Sequence, residues 1–380
     1  MMIEKSPEGI RKILEILISE GYEAYLVGGC VRDRLLGFEP KDYDVTTNAK
    51  PHDVVKCFRD YRVIETGIKH GTVTVICEGE QCEITTFRTD GVYTDNRHPD
   101  NVTFSDDLAS DLSRRDFTVN SMAWGQNGLV DLFGGEADLK NGVIRAVGES
   151  EKRFSEDALR IMRALRFSSR FGFEIEKETA VGMRKCAHLL ENIARERIFS
   201  ELVGIVMGKS AFSVTRDFAD ILSFAVGKTT PVSDYLALDS DVRLAALFSQ
   251  NTDAIKSLKT SRTTENTVAY LIENADSLLP EDIPSAQRFI RRHGYELALK
   301  LCLLRADKEA YTKVTDVKRA HLPSRIYDLA VRGNDIILAG YSGAQVSRAL
   351  EIALDGVISG ECRNRKKDIL EYIDSKKDGI

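Results

Sequence analysis

The hydrophobic pattern of the first sixty residues switches period twice. In residues 7–20, PEGIRKILEILISE, apolar side chains at Ile10, Ile13, Leu14, Ile16, Leu17 and Ile18 predict a helix with one buried stripe, closed by Gly21. The apolar run of residues 24–27 predicts a short strand that stops at Gly28 and Gly29. VRDRLLG then reads as a helix beginning near Val31, and the chain returns as a strand carrying Asp42 and Asp44. NAKPHDVVKCF predicts another helix, with Asn48 as cap and Pro51 in its opening turn. Period-two alternation in TVTVICEG and QCEITTF predicts two strands joined as a hairpin around residues 79–81. It puts Cys82, Ile84 and Thr86 on one face and Glu83, Thr85 and Phe87 on the other.

Residues 88–104 have no period, and a loop of that length is usually either disordered or functional. Its place directly after a strand with candidate chemistry favours function. In DLSRRDFTVNSMAW, Arg114, Arg115 and Asp116 are expected to open a helix that buries Phe117, Val119, Met122 and Ala123. LVDLFGGEADLKNGVIRAVG supplies the last short strands and turns. Past about residue 150 the strand signal fades and amphipathic helices dominate. FSEDALRIMRALRFSSRFGFEI is expected to start at Ser155 as N-cap, with Glu156 and Asp157 in the first turn. Further helices are expected at roughly 176–225, 232–250, 260–280 and 285–308. The fold class is therefore α+β, a mixed sheet with helices followed by an all-α remainder.

The chain has 380 residues, enough for two to four compact units, and an ordinary globular composition. Its net charge of −6 argues against indiscriminate adhesion to nucleic acid, although a basic face can be local. One candidate lies between residues 287 and 325, where ten lysines and arginines stand against four acids. An RNA backbone and plain solvent are equal readings of that excess. The seven cysteines are scattered, with no zinc spacing, as expected of reduced thiols in a cytoplasmic protein. No signal peptide or bilayer-length apolar run stands out, so no membrane is expected. His52 and Asp53 are adjacent on a helix, diverge by about 100 degrees and read as a surface pair.

The densest chemistry lies in residues 25–44, YLVGGCVRDRLLGFEPKDYD. On a strand, residues i and i+2 share a face, so Asp42 and Asp44 would hold two carboxylates side by side, with Tyr43 turned away. Such a pair is either a solvated edge or a cation site. Magnesium suits the latter, taking few protein carboxylates and completing its shell with water and phosphate oxygens. Gly28 and Gly29 let backbone N–H groups approach a triphosphate, and Arg32 adds a charged fork. Glu83 is either a third acid facing the pair or a solvent-facing strand residue. Arg115 can turn toward a triphosphate, whereas an RRD triplet by itself reads as a solvated helix start.

Along the later helix, Asp157, Arg160, Arg163 and Arg166 recur at three- and four-residue spacing. One reading is an intrahelical salt-bridge ladder. The other is base reading. Cytosine and adenine carry an amino donor beside a ring-nitrogen acceptor, so a carboxylate and a guanidinium accept them and reject uracil and guanine.

The ordered series LVGGCVRDRLLG, KDYDVTT, TGIKHGTVTV, CEITTFRTDG, DLSRRDFTVNSMAW, DLFGGEADL and RFSEDALRIMRALRFSSRFGF resembles the bacterial class II tRNA nucleotidyltransferases, the CCA-adding enzymes, nearly continuously over residues 20–175. The C-terminal NDIILAGYSGAQVSRALEIALDGVISGECRNRKKDILEYI also resembles the family tail, while residues 216–285 match poorly. The resemblance implies a polymerase β-like nucleotidyltransferase head (1–150), a helical neck with the base-reading helix (151–215), a helical body (216–295) and a tRNA-binding tail (296–380). It implies addition of C, C and A to a tRNA lacking all or part of its 3′ CCA, from CTP and ATP, with Mg2+ as cofactor. By motif, Asp42 and Asp44 hold metal with Glu83 beside them as a candidate catalytic acid. Gly29, Arg32 and Arg115 contact nucleotide, and Asp157, Arg160, Arg163 and Arg166 form the base-selecting face and its support. The loop from Arg88 is similar to the family's flexible loop. A-only addition and bacterial poly(A) polymerase are the nearest alternatives. ETGIKHGTVTV counts against the latter, and the complete loop counts against C-only addition. A catalytically silent RNA-binding protein would be expected to lack a metal carboxylate, and both are present.

Overall fold

The computed structural model describes residues 3–90 and 102–377. Of the expected long loop, residues 91–101 lie outside the described residues. The chain divides into two compact units. One runs to Pro231 and includes Ser257–Lys259; the other comprises Val232–Lys256 and the chain from Thr260 on. Every candidate site residue belongs to the first.

That unit begins with the expected helix α1 (Glu8–Ser19), whose Ile10, Ile13, Leu14 and Leu17 are buried. Strand β1 (Ala24–Val27), helix α2 (Gly29–Leu35) and strand β2 (Tyr43–Thr47) come next, in the predicted order. Helix α3 (Pro51–Cys57) has Pro51 at its start, where no backbone donor is needed. Lys50 occupies the cap position, and Asn48 instead accepts a hydrogen bond from the Glu23 N–H at 2.9 Å. Strands β3 (Arg62–Ile64), β4 (Thr72–Cys77) and β5 (Glu80–Thr86) complete one half of the sheet. The β4–β5 hairpin turns at Glu78 and Gly79, both with positive φ, as a tight turn between twisted strands requires.

Arg88–Asp90 (β6) and Val102–Phe104 (β7) pair as a separate antiparallel ribbon. Helix α4 (Leu108–Ser113) ends where the sequence reading opened one. Arg114 caps its C-terminus, Thr118–Asn120 is a 3-10 turn, and Met122–Gly125 is strand β8, hairpinned to β9 (Gly128–Asp131). Phe117, Val119, Met122 and Ala123 are all buried, as expected, but not on one helix. The main sheet has seven strands in the order β3-β4-β5-β2-β1-β8-β9, antiparallel except for β2 beside β5.

Helix α5 (Gly135–Asn141) and strand β10 (Val143–Ile144) lead to a second correction. The expected single helix from Ser155 is two: α6 (Ser150–Glu156) and α7 (Leu159–Phe171). Asp157 sits in the break with extended backbone, φ −141° and ψ 102°. Its Oδ1 accepts the Leu159 N–H at 3.0 Å, starting the second helix. Strand β11 (Glu174–Ile175) lies parallel to β10. The expected helix over 176–225 is likewise several: α8 (Lys177–Cys186), α9 (Arg195–Val206), α10 (Ala211–Asp217) and α11 (Ala219–Val226). Helix α9 packs on α7 at close range. A Cβ on Gly204 would fall 2.4 Å from Arg166 Cδ, and one on Gly208 2.1 Å from Ser169 Oγ.

The second unit is all α, from α12 (Ser240–Leu247) to α20 (Lys366–Ser375). Leu329, Val331, Ile336, Leu354 and Ile369 lie in the core of its C-terminal part. On its basic stretch, Arg291, Lys313 and Arg319 already pair with Asp355, Glu309 and Asp316, while Arg288 and Arg292 are exposed. Among the described residues, no helix is long and apolar enough to cross a membrane.

Candidate active site

Alternation along β2 buries Tyr43 and Val45 and leaves Asp44 open to solvent. Asp42 lies in the bend just before the strand rather than within it, still close enough to act on Asp44 electrostatically. In the parallel β2–β5 register Asp44 stands opposite Glu83, so the two carboxylates share a face on neighbouring strands. Although solvent reaches Asp44, the flanking protein displaces enough water to raise its carboxyl to about 6. Glu83 and Asp42 add to the shift and Arg115 opposes it.

Gly28 holds φ +75° at the end of β1, and a Cβ there would lie 3.0 Å from Arg115 Nη1. Arg115 is thus packed on the glycine turn, beside the acids. It is aimed by Asp111, which is fully buried and accepts from Arg115 Nη2 at 3.1 Å, Arg114 Nη2 at 2.6 Å and the Thr46 hydroxyl at 3.2 Å. Burial would raise the Asp111 carboxyl, but Arg115 and Arg114 hold it below its ordinary range. The spacing Asp111-x-x-Arg114-Arg115 was available in the sequence as an i, i+3, i+4 pattern. Arg115 Nε is shielded and has no hydrogen-bond acceptor among the described residues.

Glycine substitutions separate the two halves of the turn. Gly28→Ala should lower folding stability by about 1 kcal/mol for its positive φ and more for crowding Arg115. Gly29 lies in the first turn of α2, and a Cβ there would meet only Arg32 Nη2, at 3.6 Å. Gly29→Ala should therefore leave Tm unchanged while weakening the binding of a nucleoside triphosphate, if its role is close backbone approach to phosphate. Thermal melts beside triphosphate-binding titrations check both.

Arg32 is 5 % exposed. It donates to Asn120 Oδ1 at 2.5 Å and Asp33 Oδ1 at 2.7 Å, and lies 5.0 Å from the ring centroids of Phe167 and Phe171. Asn120 donates in turn to Asp116 Oδ1 at 3.0 Å, and Asp116 Oδ2 receives Arg163 at 2.7–2.8 Å. Asp116 is 8 % exposed. Burial alone would raise its carboxyl, but Arg163, Asn120 and Arg160 outweigh it and hold it at about 2. The RRD triplet is therefore a built network and not a solvated helix start. Asp116 escaped the sequence reading because its partner is forty-seven residues away.

The arginines of α7 do not form an intrahelical ladder. Arg163 pairs with Asp116, and Arg166 with Glu201 of α9 at 2.5 Å. Arg160 Nη1 donates to Glu156 at 2.8 Å and the Arg153 carbonyl at 3.0 Å, and its Nη2 to the Arg114 carbonyl at 3.1 Å. Asp157 and Arg160 are thus neighbours without being paired. Asp157 Oδ2 receives Arg197 Nη2 at 3.2 Å. Phe167 packs against Phe117 edge-on at 5.9 Å and has Arg32, Arg163 and Arg166 around its ring.

Among the described residues, no three or more His, Cys, Asp or Glu side chains converge as a closed metal cage. The acids present do fit a hard divalent cation of the magnesium type. All donors are oxygens, the carboxylates repel one another, and Arg115 offsets only part of that repulsion.

The family model of the poly A polymerase head domain matches residues 24–145, spanning the sheet and its acids. A second, the probable RNA and SrmB-binding site of polymerase A, matches residues 172–218. The CCA-adding enzyme of Lactobacillus delbrueckii subsp. bulgaricus is 37% identical over 382 residues, covering 95% of this chain and 96% of its own. That of Ligilactobacillus salivarius is 39% identical, covering 79% and 78%. The solved Bacillus stearothermophilus CCA-adding enzyme in complex with CTP has a TM-score of 0.79 at 31% identity, with 98% of each chain covered. The Thermotoga maritima enzyme complexed with tRNA shares the fold, with a TM-score of 0.71 at 20% identity over 99% of this chain and 98% of its own. Identity above 30% over nearly the whole of both chains means that the chain belongs to the family of the CCA-adding nucleotidyltransferases.

Proposed function

We propose that this chain adds C, C and A stepwise, without a nucleic-acid template, to the 3′ end of a tRNA lacking all or part of that sequence. The observation that carries the reading is the in-register Asp44–Glu83 pair facing Arg115 across the Gly28 turn, in a chain of this family. The tRNA 3′ oxygen forms a bond to the α-phosphorus of CTP or ATP, the bond to the β-phosphate bridge breaks, and pyrophosphate departs. Asp42 and Asp44 would hold Mg2+, with Glu83 as the neighbouring acid. When bound, such an ion supplies positive charge at the reacting oxygens and eases loss of the hydroxyl proton.

The chain's own groups do the positioning. Backbone N–H groups around Gly28 and Gly29 approach the phosphates, and Arg115 neutralises charge on the departing side. Arg32 holds α2 against α7 behind them. Asp157 accepts from the amino group of cytosine or adenine, and Arg160 donates to the ring nitrogen once a nucleotide draws it from its present partners. Arg163 and Arg166 support that face. We further propose the division into head 1–150, neck 151–215, body 216–295 and tail 296–380, the last holding tRNA. A cytoplasmic location is supported by seven unpaired cysteines.

Transcripts ending before CCA, after C and after CC, each given CTP, ATP or both, test the reading. The shortest should gain two nucleotides with CTP and three with both, and the CC-ended one should gain a single A. Extension by A alone, or long runs of A, would replace the reading with A-only or poly(A) addition.

A further inference from the structure

Asp42 is the candidate metal acid that no strand holds. Register with β5 fixes Asp44 opposite Glu83, whereas Asp42 precedes β2 in a bend, and residues 38–42 belong to neither helix nor strand. A rigid cation site needs both carboxylates held in place. The segment that carries Asp42 is therefore fixed by something other than the sheet.

Arg34, the last residue but one of α2, makes that connection. Its Nη1 donates to Glu39 Oε2 at 2.6 Å and its Nη2 to Glu39 Oε1 at 2.8 Å, a two-pronged charged pair. The same Nη2 lies 3.0 Å from the Tyr43 hydroxyl and 3.0 Å from the Lys5 carbonyl, and the Tyr43 hydroxyl is 3.4 Å from Glu39 Oε1. Glu39 stands three residues before Asp42 and Tyr43 one after it. A single guanidinium thus ties down the bend on both sides of the acid. Pro40, buried between them, restricts the backbone further. The Glu39 side chain is 71% exposed, so its ion pair adds little to stability. What the pair does fix is the path of the chain into Asp42.

We propose that Arg34 is a positioning residue for the metal site, holding the bend of residues 38–42 so that the Asp42 carboxylate stands ready beside Asp44 for a divalent cation. This rests on the reading of Asp42 as a metal carboxylate. Without the guanidinium the bend has to be ordered when the cation binds. That cost falls on metal affinity and not on the chemistry that follows once the cation is in place. A lysine supplies the charge without the fork, so it restores the site only in part.

The test reads metal binding apart from activity. Binding of Mn2+ alone to the full chain is measured from the electron paramagnetic resonance of the free ion. The parent is compared with Arg34→Met, Arg34→Lys, Glu39→Ala, Asp42→Ala and the double variant Arg34→Met/Asp42→Ala, beside thermal melts and the Mg2+ dependence of CTP incorporation. Arg34→Met should weaken Mn2+ binding about tenfold, the low end of the cost of losing a group behind a metal ligand, and raise the half-saturating Mg2+ by about the same factor. kcat at saturating Mg2+ should fall far less, and Arg34→Lys should recover part of the affinity. Glu39→Ala should weaken Mn2+ binding in the same direction with Tm unchanged, which keeps the test decisive if Arg34→Met does not fold. The double variant should bind no more weakly than Asp42→Ala alone, because Arg34 acts through Asp42. Unchanged Mn2+ affinity in Arg34→Met, whether or not its Tm falls, or losses that multiply in the double variant, would overturn the proposal. If Asp42→Ala binds Mn2+ like the parent, the metal role of Asp42 falls and this inference with it. If Asp42→Ala alone loses affinity, the inference about Arg34 falls by itself.

Discussion

Replacing Asp44 with alanine should abolish incorporation of C and A alike while leaving the protein at least as stable as before. The loss should be about a thousandfold or more, because several kcal/mol of charge stabilisation at the reacting oxygens go with the carboxylate. The stability side has a definite sign. A carboxyl raised to about 6 in the folded chain, against an ordinary value of 3.8, is disfavoured as an anion by folding. Its ionisation therefore weakens the fold as pH rises past 4 toward 6, and that penalty is fully present at pH 7. Removing the group removes the penalty, though solvent screening keeps the gain small. The expected result is an inactive variant whose Tm at pH 7 is unchanged or a few degrees higher. A variant that retains CTP incorporation would overturn the assignment of the acids; one that is inactive and unfolded would contradict the electrostatics.

The second large effect has the opposite character. Asp116→Ala should destabilise the first unit by about 3 kcal/mol, since it strands Arg163 and Asn120 in a buried setting. Because Asp116 is held at about 2, below its ordinary value, its contribution is present above pH 4. It is lost as pH falls from about 4 to 2, and the shift corresponds to about 2 kcal/mol. Denaturant melts of the parent and of Asp116→Ala should therefore differ most near neutrality and converge toward pH 2. A constant gap across that range would mean that the Asp116 charge is not what holds Arg163. Activity should fall less steeply than in Asp44→Ala wherever the variant remains folded.

The contrast between these residues shows what the sequence made legible. Asp42, Asp44 and the glycine turn lie within twenty residues, in elements whose apolar periods are local, so strand, turn, helix and strand could be read in order. The β4–β5 alternation was equally local, and it put Glu83 on the right face. What failed was structure fixed by distant partners. Phe117, which bridges to Ala146 just ahead of the 3-10 turn, Val119 within that turn, and Met122 and Ala123 on β8 are all buried, and their spacing fits a helix about as well as the elements they occupy. Ser155, Glu156 and Asp157 look like a helix start because all three favour first turns. The break comes two residues later, since Asp157 spends its carboxylate on Leu159 and Arg197. Arg160, read as one half of a base-reading pair, is bound elsewhere in this structure by groups from α6 and from the end of α4.

Strand β8 completes the sheet late in synthesis. β1 is hydrogen-bonded on one side to β2, which is synthesised almost at once, and on the other to β8, whose residues 122–125 emerge about a hundred residues later. Once Thr86 has left the ribosome, five of the seven strands are available and the Asp44–Glu83 pair can form. From then until Met122 appears, thirty-six residues later, the nascent head carries β1 as a bare edge. At about 5–20 residues per second, that exposure lasts about 2–7 s. During that time Leu26 and Val27 can template pairing with a neighbouring nascent chain, so the strand beside Asp44 is also the one that most needs prompt translation of residues 87–125.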